Sequence, residues 1–290
     1  MVKPSRSYRV FQGVNGVVLT VVVVVTLYPF VNIIARSFSG ERQIRAGEVT
    51  LLPKGFNLTT YEIVFQDSMF WRNYGNTVLY TVVATAVAMV LTTCYAYVLS
   101  KKHLKGRGLL VGIAVFTMFF TGGLIPNYVL VTNLGLKNTI WALALPNAIS
   151  VFNLLVMKAF FESLPTELEE AAQIDGLSTY GILLRIVLPL SKAVVATMVL
   201  FYSVSFWNSW FSAFLYLDKS ELMPVTVYLR NLISGATTGG NAGAADAQLS
   251  QVGANIQAVT IVLTSLPILC VYPFVQRYFV SGVMLGAVKG

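Results

Sequence analysis

The chain has 290 residues, 56% of them hydrophobic and 11% charged, with a formal net charge of +8. Soluble domains carry about 25% charged residues, so this composition argues against a soluble core and for a polytopic membrane protein in one main domain. The positive charge forms no basic block of nucleic-acid type. His103, the single histidine, leaves a His-based zinc site or triad little to draw on, and no metal site is expected.

A helix needs about 20 apolar residues to cross the hydrocarbon. Six charge-free segments meet that length, at residues 10–35, 73–100, 108–136, 138–157, 193–217 and 247–276. The expected fold is therefore all-α with six transmembrane helices. The first segment has an apolar run, residues 14–34, longer than the roughly 7–15 residues of a signal-peptide core, and reads as a retained span. Cys94 and Cys270 lie in apolar runs and read as small buried hydrophobes rather than a disulfide or metal pair.

Orientation follows from Lys and Arg near the span ends. Lys3, Arg6 and Arg9 precede the first span. Lys101, Lys102, Lys105 and Arg107 crowd the second loop, and the third has only Lys137. Loop one is long and its basic residues are offset by Glu41, Glu48, Glu62 and Asp67, so it is discounted. The N-terminus, loop two, loop four and the C-terminus come out cytoplasmic. No Asp, Glu, Lys or Arg falls inside a predicted span, which disfavours a proton- or ion-coupled carrier.

Thr121-Gly122-Gly123-Leu124-Ile125-Pro126 interrupts the third span. It reads either as a broken helix lining a cavity or as the Gly and Pro of an ordinary membrane helix. The fourth span carries Asn147 and Asn153, and the fifth carries Phe206-Trp207-Asn208-Ser209-Trp210-Phe211. Aromatic faces suit sugar rings and Asn bonds hydroxyls. Helical spacing would put Trp207 and Trp210 on one face. Trp207, Asn208, Trp210, Asn147 and Asn153 are the candidate substrate path; core packing or an interfacial belt is the alternative.

Loop four, residues 158–192, is a polar insert between apolar runs. Thr166-x-x-Glu169 has capping-box spacing and Pro165 fits a helix start. Glu167, Glu169 and Glu170 lie toward the positive end of the helix dipole. Leu164, Leu168, Ala171 and Ala172 form a narrow stripe, kept low by the alanines so that a partner can approach. Asp175-Gly176 ends the helix. Ser178 or Thr179 caps a second helix over 180–187, and Pro189 stops it. A solvated hairpin with ordinary caps also fits these local signals.

Glu170-Ala171-Ala172, Gly176 and Ile186-Val187-Leu188-Pro189, at this spacing in this loop, resemble the coupling loop of type I ABC-importer permeases. Across nearly the whole chain, and most clearly over 76–273, the sequence is similar to the shorter permease of the carbohydrate-uptake, maltose-importer-like group. It also resembles permeases for larger or acidic oligosaccharides, alginate importers among them. The resemblance implies three regions: residues 1–72 with the first span and an outer loop, a permease core over 73–276, and a cytoplasmic tail over 277–290. It implies an ATPase-coupling role for Glu169, Glu170, Ala171, Ala172, Asp175, Gly176, Ile186, Leu188 and Pro189, and an ATPase-contacting tail at Arg277, Gly286 and Lys289. The implied partners are a second permease, two ATP-binding subunits, membrane lipid and a periplasmic or lipid-anchored binding protein that residues 234–246 could touch, though that Gly/Ala-rich run also fits an inert linker. No G-x-x-x-x-G-K-[ST] loop is present. The chain is thus not expected to be an enzyme, and ATP and Mg are expected on the partner subunits in a bacterial inner-membrane complex. Permeases for peptides, polyamines or phosphate share this loop and are the alternative, with an ion-coupled carrier behind them.

Overall fold

The computed structural model describes residues 5–238, 255–270 and 273. Every regular element among them is helical. Contacts divide the chain into two units, Met1–Ser68 with Leu229–Leu266, and Met69–Tyr228 with Pro267–Gly290.

The first unit is built on helix Arg6–Ser37. Its Ser5 cap accepts from the Tyr8 amide at 3.2 Å. The helix is apolar all round and buries none of its most apolar stretch, the pattern of a bilayer span. Its last carbonyls would be orphaned. The Ser37 and Ser39 hydroxyls donate to the carbonyls of Ile34 and Ala35, and Asn255 Nδ2 lies within bonding distance of those of Arg36 at 2.9 Å, Ser37 at 3.2 Å and, just past the helix, Ser39 at 2.8 Å. Short helices Glu41–Arg45 and Thr59–Gln66 complete the loop that follows, where Tyr61 donates to Ser37 at 3.0 Å and stacks on Phe38.

The second unit is organised by helix Ser68–Ser100, uninterrupted for 33 residues and so about 50 Å long. The third, fourth and fifth predicted spans are interrupted. The third divides into Arg107–Phe119 and Leu124–Asn133, bent by 113°. At the break Gly123 takes φ 84°, ψ 177°, a region open essentially to glycine alone. The fourth divides into Trp141–Ala144 and Val151–Glu162 around Pro146. The fifth divides into Lys192–Trp207 and Trp210–Tyr216. Of the sixth, Asn255–Cys270 is described. Among the described residues two helices are long and apolar enough to cross a membrane, or up to four spans if each bent pair is one. The breaks remove backbone hydrogen bonds that apolar counting along the sequence does not register.

The core of this unit packs Tyr97, Leu99, Leu154, Met157, Phe161, Ile182 and Met198 together, so the loop-four hairpin is part of the core and not an appendage. Charged groups collect at the two ends of the long helix. At one end Arg72 pairs with Glu221 at 3.1 Å, and Lys137 pairs with Asp218 at 3.1 Å. Asn138, in the left-handed region at φ 59°, clasps Asp218 there: its Nδ2 donates to Oδ2 at 3.0 Å and its Oδ1 accepts from the Asp218 amide at 2.7 Å. At the other end Lys101 pairs with Glu169, and Glu162 bridges Arg107 and Lys158. Cys94 and Cys270 are both exposed and unbridged. The expectation of buried thiols fails because their apolar helices turn these faces outward.

Candidate functional site: the loop-four hairpin and a cavity at the helix breaks

The hairpin consists of helix Thr166–Ile174, a turn, and a helical run over Thr179–Leu190. The first helix closes in a Schellman arrangement: the Gly176 amide donates to Gln173 O and the Leu177 amide to Ala172 O, each at 3.0 Å. Gly176 supplies the left-handed residue, φ 78°. Ser178 caps the second helix, accepting from the Gly181 amide at 3.3 Å. The capping box does not form. Pro165 occupies the cap position, Thr166 is already helical, and the Ser163 hydroxyl donates back to Phe160 O at 2.7 Å. Pro189 does not stop the second helix either. With no N–H, and with its ring against the carbonyl four residues back, it shifts the preceding turn to a π-helix over Leu183–Val187. The run continues to Leu190 and turns by 87° into Lys192–Trp207.

The predicted loop residues divide by direction. Glu170, Ala171, Asp175, Gly176 and Pro189 are exposed. Ala172, only 4% exposed, packs into the core, with Ile186 and Leu188 against the same cluster. The expected apolar stripe therefore splits, Leu164 and Ala172 turning inward, Leu168 and Ala171 outward. Glu169 also turns inward: it accepts from Lys101 and from the Tyr97 hydroxyl at 3.4 Å, with the Lys101 ammonium 4.0 Å from the Tyr97 ring centroid. Burial, then the charge of neighbouring Arg107, holds the Lys158 ammonium below its ordinary range. Sequence reasoning missed the outward apolar residues Ile174 and Tyr180, 87% and 77% exposed, and Leu184. The available signal was bulky apolar side chains off the inward stripe of a polar loop. A groove of about 270 Å³ beside the first helix is lined by Lys102, His103, Glu169, Glu170 and Gln173. The hairpin thus presents acid and apolar groups outward from a base fixed in the core.

The predicted substrate residues do not converge. A cavity of about 650 Å³ lies where the breaks meet, lined by Thr121, Asn127, Asn147, Phe211, Ser212 and Tyr216 among others. Only Asn147 of the predicted set lines it. Trp207 is buried edge-on to Tyr74, centroids 5.9 Å apart, and borders a separate apolar cavity of about 290 Å³. The Asn208 amide is spent on Val204 O at 2.9 Å. Trp210 is partly exposed against Phe211 and Phe214, and Asn153 is buried at the start of its helix. Trp207 and Trp210 share no helical face because the helix ends between them. The tail residues Arg277, Gly286 and Lys289, and most of 234–246, lie outside the described residues.

A unit of apolar helices with a polar hairpin seated in its core and breaks that line a cavity fits a transport permease. Residues 101–285 match the family described as the binding-protein-dependent transport system inner membrane component, and the chain belongs to it. It is a permease subunit of an ABC importer, an inner-membrane component that works with other transporter subunits and a binding protein, and is itself non-catalytic. Protein LplC of Bacillus subtilis (strain 168) is 44% identical over 99% of this chain and 97% of its own length. The polygalacturonan/rhamnogalacturonan transport system permease protein YtcP of the same organism is 39% identical over 97% and 99%. A solved structure, of a bacterial ABC transporter involved in the import of the acidic polysaccharide alginate, superposes with a TM-score of 0.84 at 33% identity, covering 96% of this chain and 100% of that one.

Proposed function

We propose that this chain is one of two permeases in an ATP-driven importer of oligosaccharides, with acidic, uronate-containing chains as the favoured cargo. The observation that carries the mechanism is the hairpin: an outward Glu170, Ala171, Ile174 and Tyr180 on a base buried in the permease core. One of the two ATP-binding subunits docks there, the other on the second permease; together they bring ATP and Mg and hydrolyse the nucleotide, and Arg277, Gly286 and Lys289 extend the contact. The chain crosses the membrane six times, with both termini cytoplasmic. Pairing of loop two with loop four, and of Lys137 and Arg72 with the segment after the fifth span, is consistent with that topology. An extracytoplasmic binding protein delivers the cargo. Relatives named for polygalacturonan and alginate support the acidic class.

Cargo passes the 650 Å³ cavity, with Asn127 and Asn147 bonding hydroxyls and Phe211 and Tyr216 facing sugar rings. The test is purification with the partner subunits and uptake into proteoliposomes. Binding protein loaded with oligogalacturonate is expected to stimulate ATP hydrolysis and uptake more than a neutral glucan does. Asn127→Ala and Asn147→Ala are expected to raise the half-saturating cargo concentration. A purified complex without a nucleotide-binding subunit would falsify the assignment, and equal use of both sugars would remove the acidic preference.

A further inference from the structure

The two adjacent glutamates of the hairpin serve different structures. Glu170 is exposed and makes no ion pair or hydrogen bond among the described residues. Glu169, about 100° away around the helix, is committed to Lys101 and Tyr97, with its side chain 17% exposed and that of Lys101 22%. Partial burial strengthens such a pair relative to one in water. Lys101 immediately follows helix Ser68–Ser100, and its amide closes the last turn on Val98 O at 3.2 Å. The far end of that helix holds the segment after the fifth span: Asn76 Nδ2 donates to Glu221 O at 2.8 Å, Tyr80 donates to Leu222 O at 2.8 Å, and Thr77 Oγ1 accepts from the Val225 amide at 2.8 Å.

We infer that the Lys101–Glu169–Tyr97 clasp carries the ATPase stroke from the hairpin into the long helix, making Glu169 a positioning residue within the chain and not an ATPase contact. This rests on the hairpin being the ATPase dock. Covalently, helix Thr166–Ile174 is tied only to its neighbours in loop four, through the Ser163–Pro165 link and the Gly176 turn. A push on its outer face could be spent in tilting about those two points. The clasp opposes that tilt on the inner face, where Ala172 and Leu177 pack against the cluster containing Tyr97 and Leu99. A second brace stands beside it, Arg107 pairing with Glu162 while its Nε donates to Leu99 O at 2.7 Å. Displacement of the hairpin therefore acts on the end of a rod about 50 Å long whose other end grips the outer segment.

The test uses the complete importer in proteoliposomes with Lys101→Glu, Glu169→Lys, the double exchange and Glu169→Gln. Each single reversal is expected to lower cargo moved per ATP hydrolysed by about tenfold, within the usual range of coupling between sites, with the ATPase subunits still co-purifying. The double exchange is expected to restore the ratio, and retention of the ATPase subunits by the single reversals separates lost coupling from a misfolded hairpin. If the reversed chains do not accumulate, Glu169→Gln decides, an unchanged ratio overturning the strut. Reversals that shed the ATPase subunit without rescue would make Glu169 a partner contact and overturn it as well. A working wild type with unaffected variants overturns the strut alone, whereas a wild type lacking an ATP-binding subunit overturns the importer assignment with it.

Discussion

Gly176 offers a clean perturbation of the hairpin. A Cβ at this position meets nothing within 4 Å, so substitution creates no collision and its cost is conformational. Holding an L-residue at φ 78° costs roughly 1–2 kcal/mol, with asparagine near the bottom of that range and a β-branched side chain at or above its top. The two turn hydrogen bonds that the left-handed residue permits are worth about 1 kcal/mol each, so the strain of valine is comparable with what holds the turn closed. One to two kcal/mol shifts a population roughly 5- to 30-fold. In reconstituted importers, Gly176→Asn is expected to transport nearly as wild type, Gly176→Ala about fivefold more slowly and Gly176→Val about thirtyfold more slowly, with insertion and ATP hydrolysis retained. The ordering matters more than any single value. If asparagine is as damaging as valine, side-chain volume and not φ is at fault; if all three transport normally, the hairpin turn does not transmit coupling.

Three further outcomes are expected. Ile174→Ser, at a residue 87% exposed, should change thermal stability by no more than about 0.5 kcal/mol yet weaken retention of the ATPase subunits on purification. Trp207→Ala should cost about 3–5 kcal/mol, as for a large core residue, while the partly exposed Trp210 loses less, read as melting temperatures in detergent; equal losses would contradict the packing described. Asp218 lies outside the spans, and its carboxyl is held below its ordinary 3.8 by the Asn138 hydrogen bond and then by Lys137. A depressed acid adds stability that is present above 3.8 and lost as pH falls through the lower folded value, so the melting-temperature gap between wild type and Asp218→Asn should be open at pH 7 and close in strong acid.

What was legible in the sequence was whatever depends on local chemistry. Gly176 announced its turn because few residues but glycine take that φ, Ser178 announced its cap, and charge-free runs announced membrane segments. What was not legible depends on partners distant in the chain. Glu169 had capping-box spacing, but Lys101, 68 positions earlier, claims it. Trp207 and Trp210 had helical spacing, but the backbone turns at Asn208 and Ser209 and puts one ring inside and the other partly out. Pro189 looked like a stop, and the chain absorbed it with a π-turn because Val187 before it and Ser191 after it are held buried. Asn138 gave no signal, since its reach to Asp218 spans 80 positions.

The interruptions also follow a physical rule. Backbone without helical hydrogen bonding is tolerated at membrane depth only where protein covers it or a cavity lets water reach it. Residues from the breaks in the third and fourth spans, and from the short helix beyond the break in the fifth, all line the one cavity of about 650 Å³. Helix Ser68–Ser100, by contrast, is continuous and links the charged clusters at its two ends. The proposed mechanism uses both kinds of element: broken helices whose freed polar groups meet a hydrated sugar, and an unbroken one that carries displacement. Straightening the third span with Gly123→Ala should therefore impair cargo passage before it impairs docking of the ATPase. The glycine-only φ and ψ of Gly123 sit at the cavity, whereas the hairpin is fixed at the opposite end of the long helix from residues Glu221–Val225. Uptake that falls while ATPase retention holds would separate the two functions; loss of both together would mean that the break supports the fold of the whole unit.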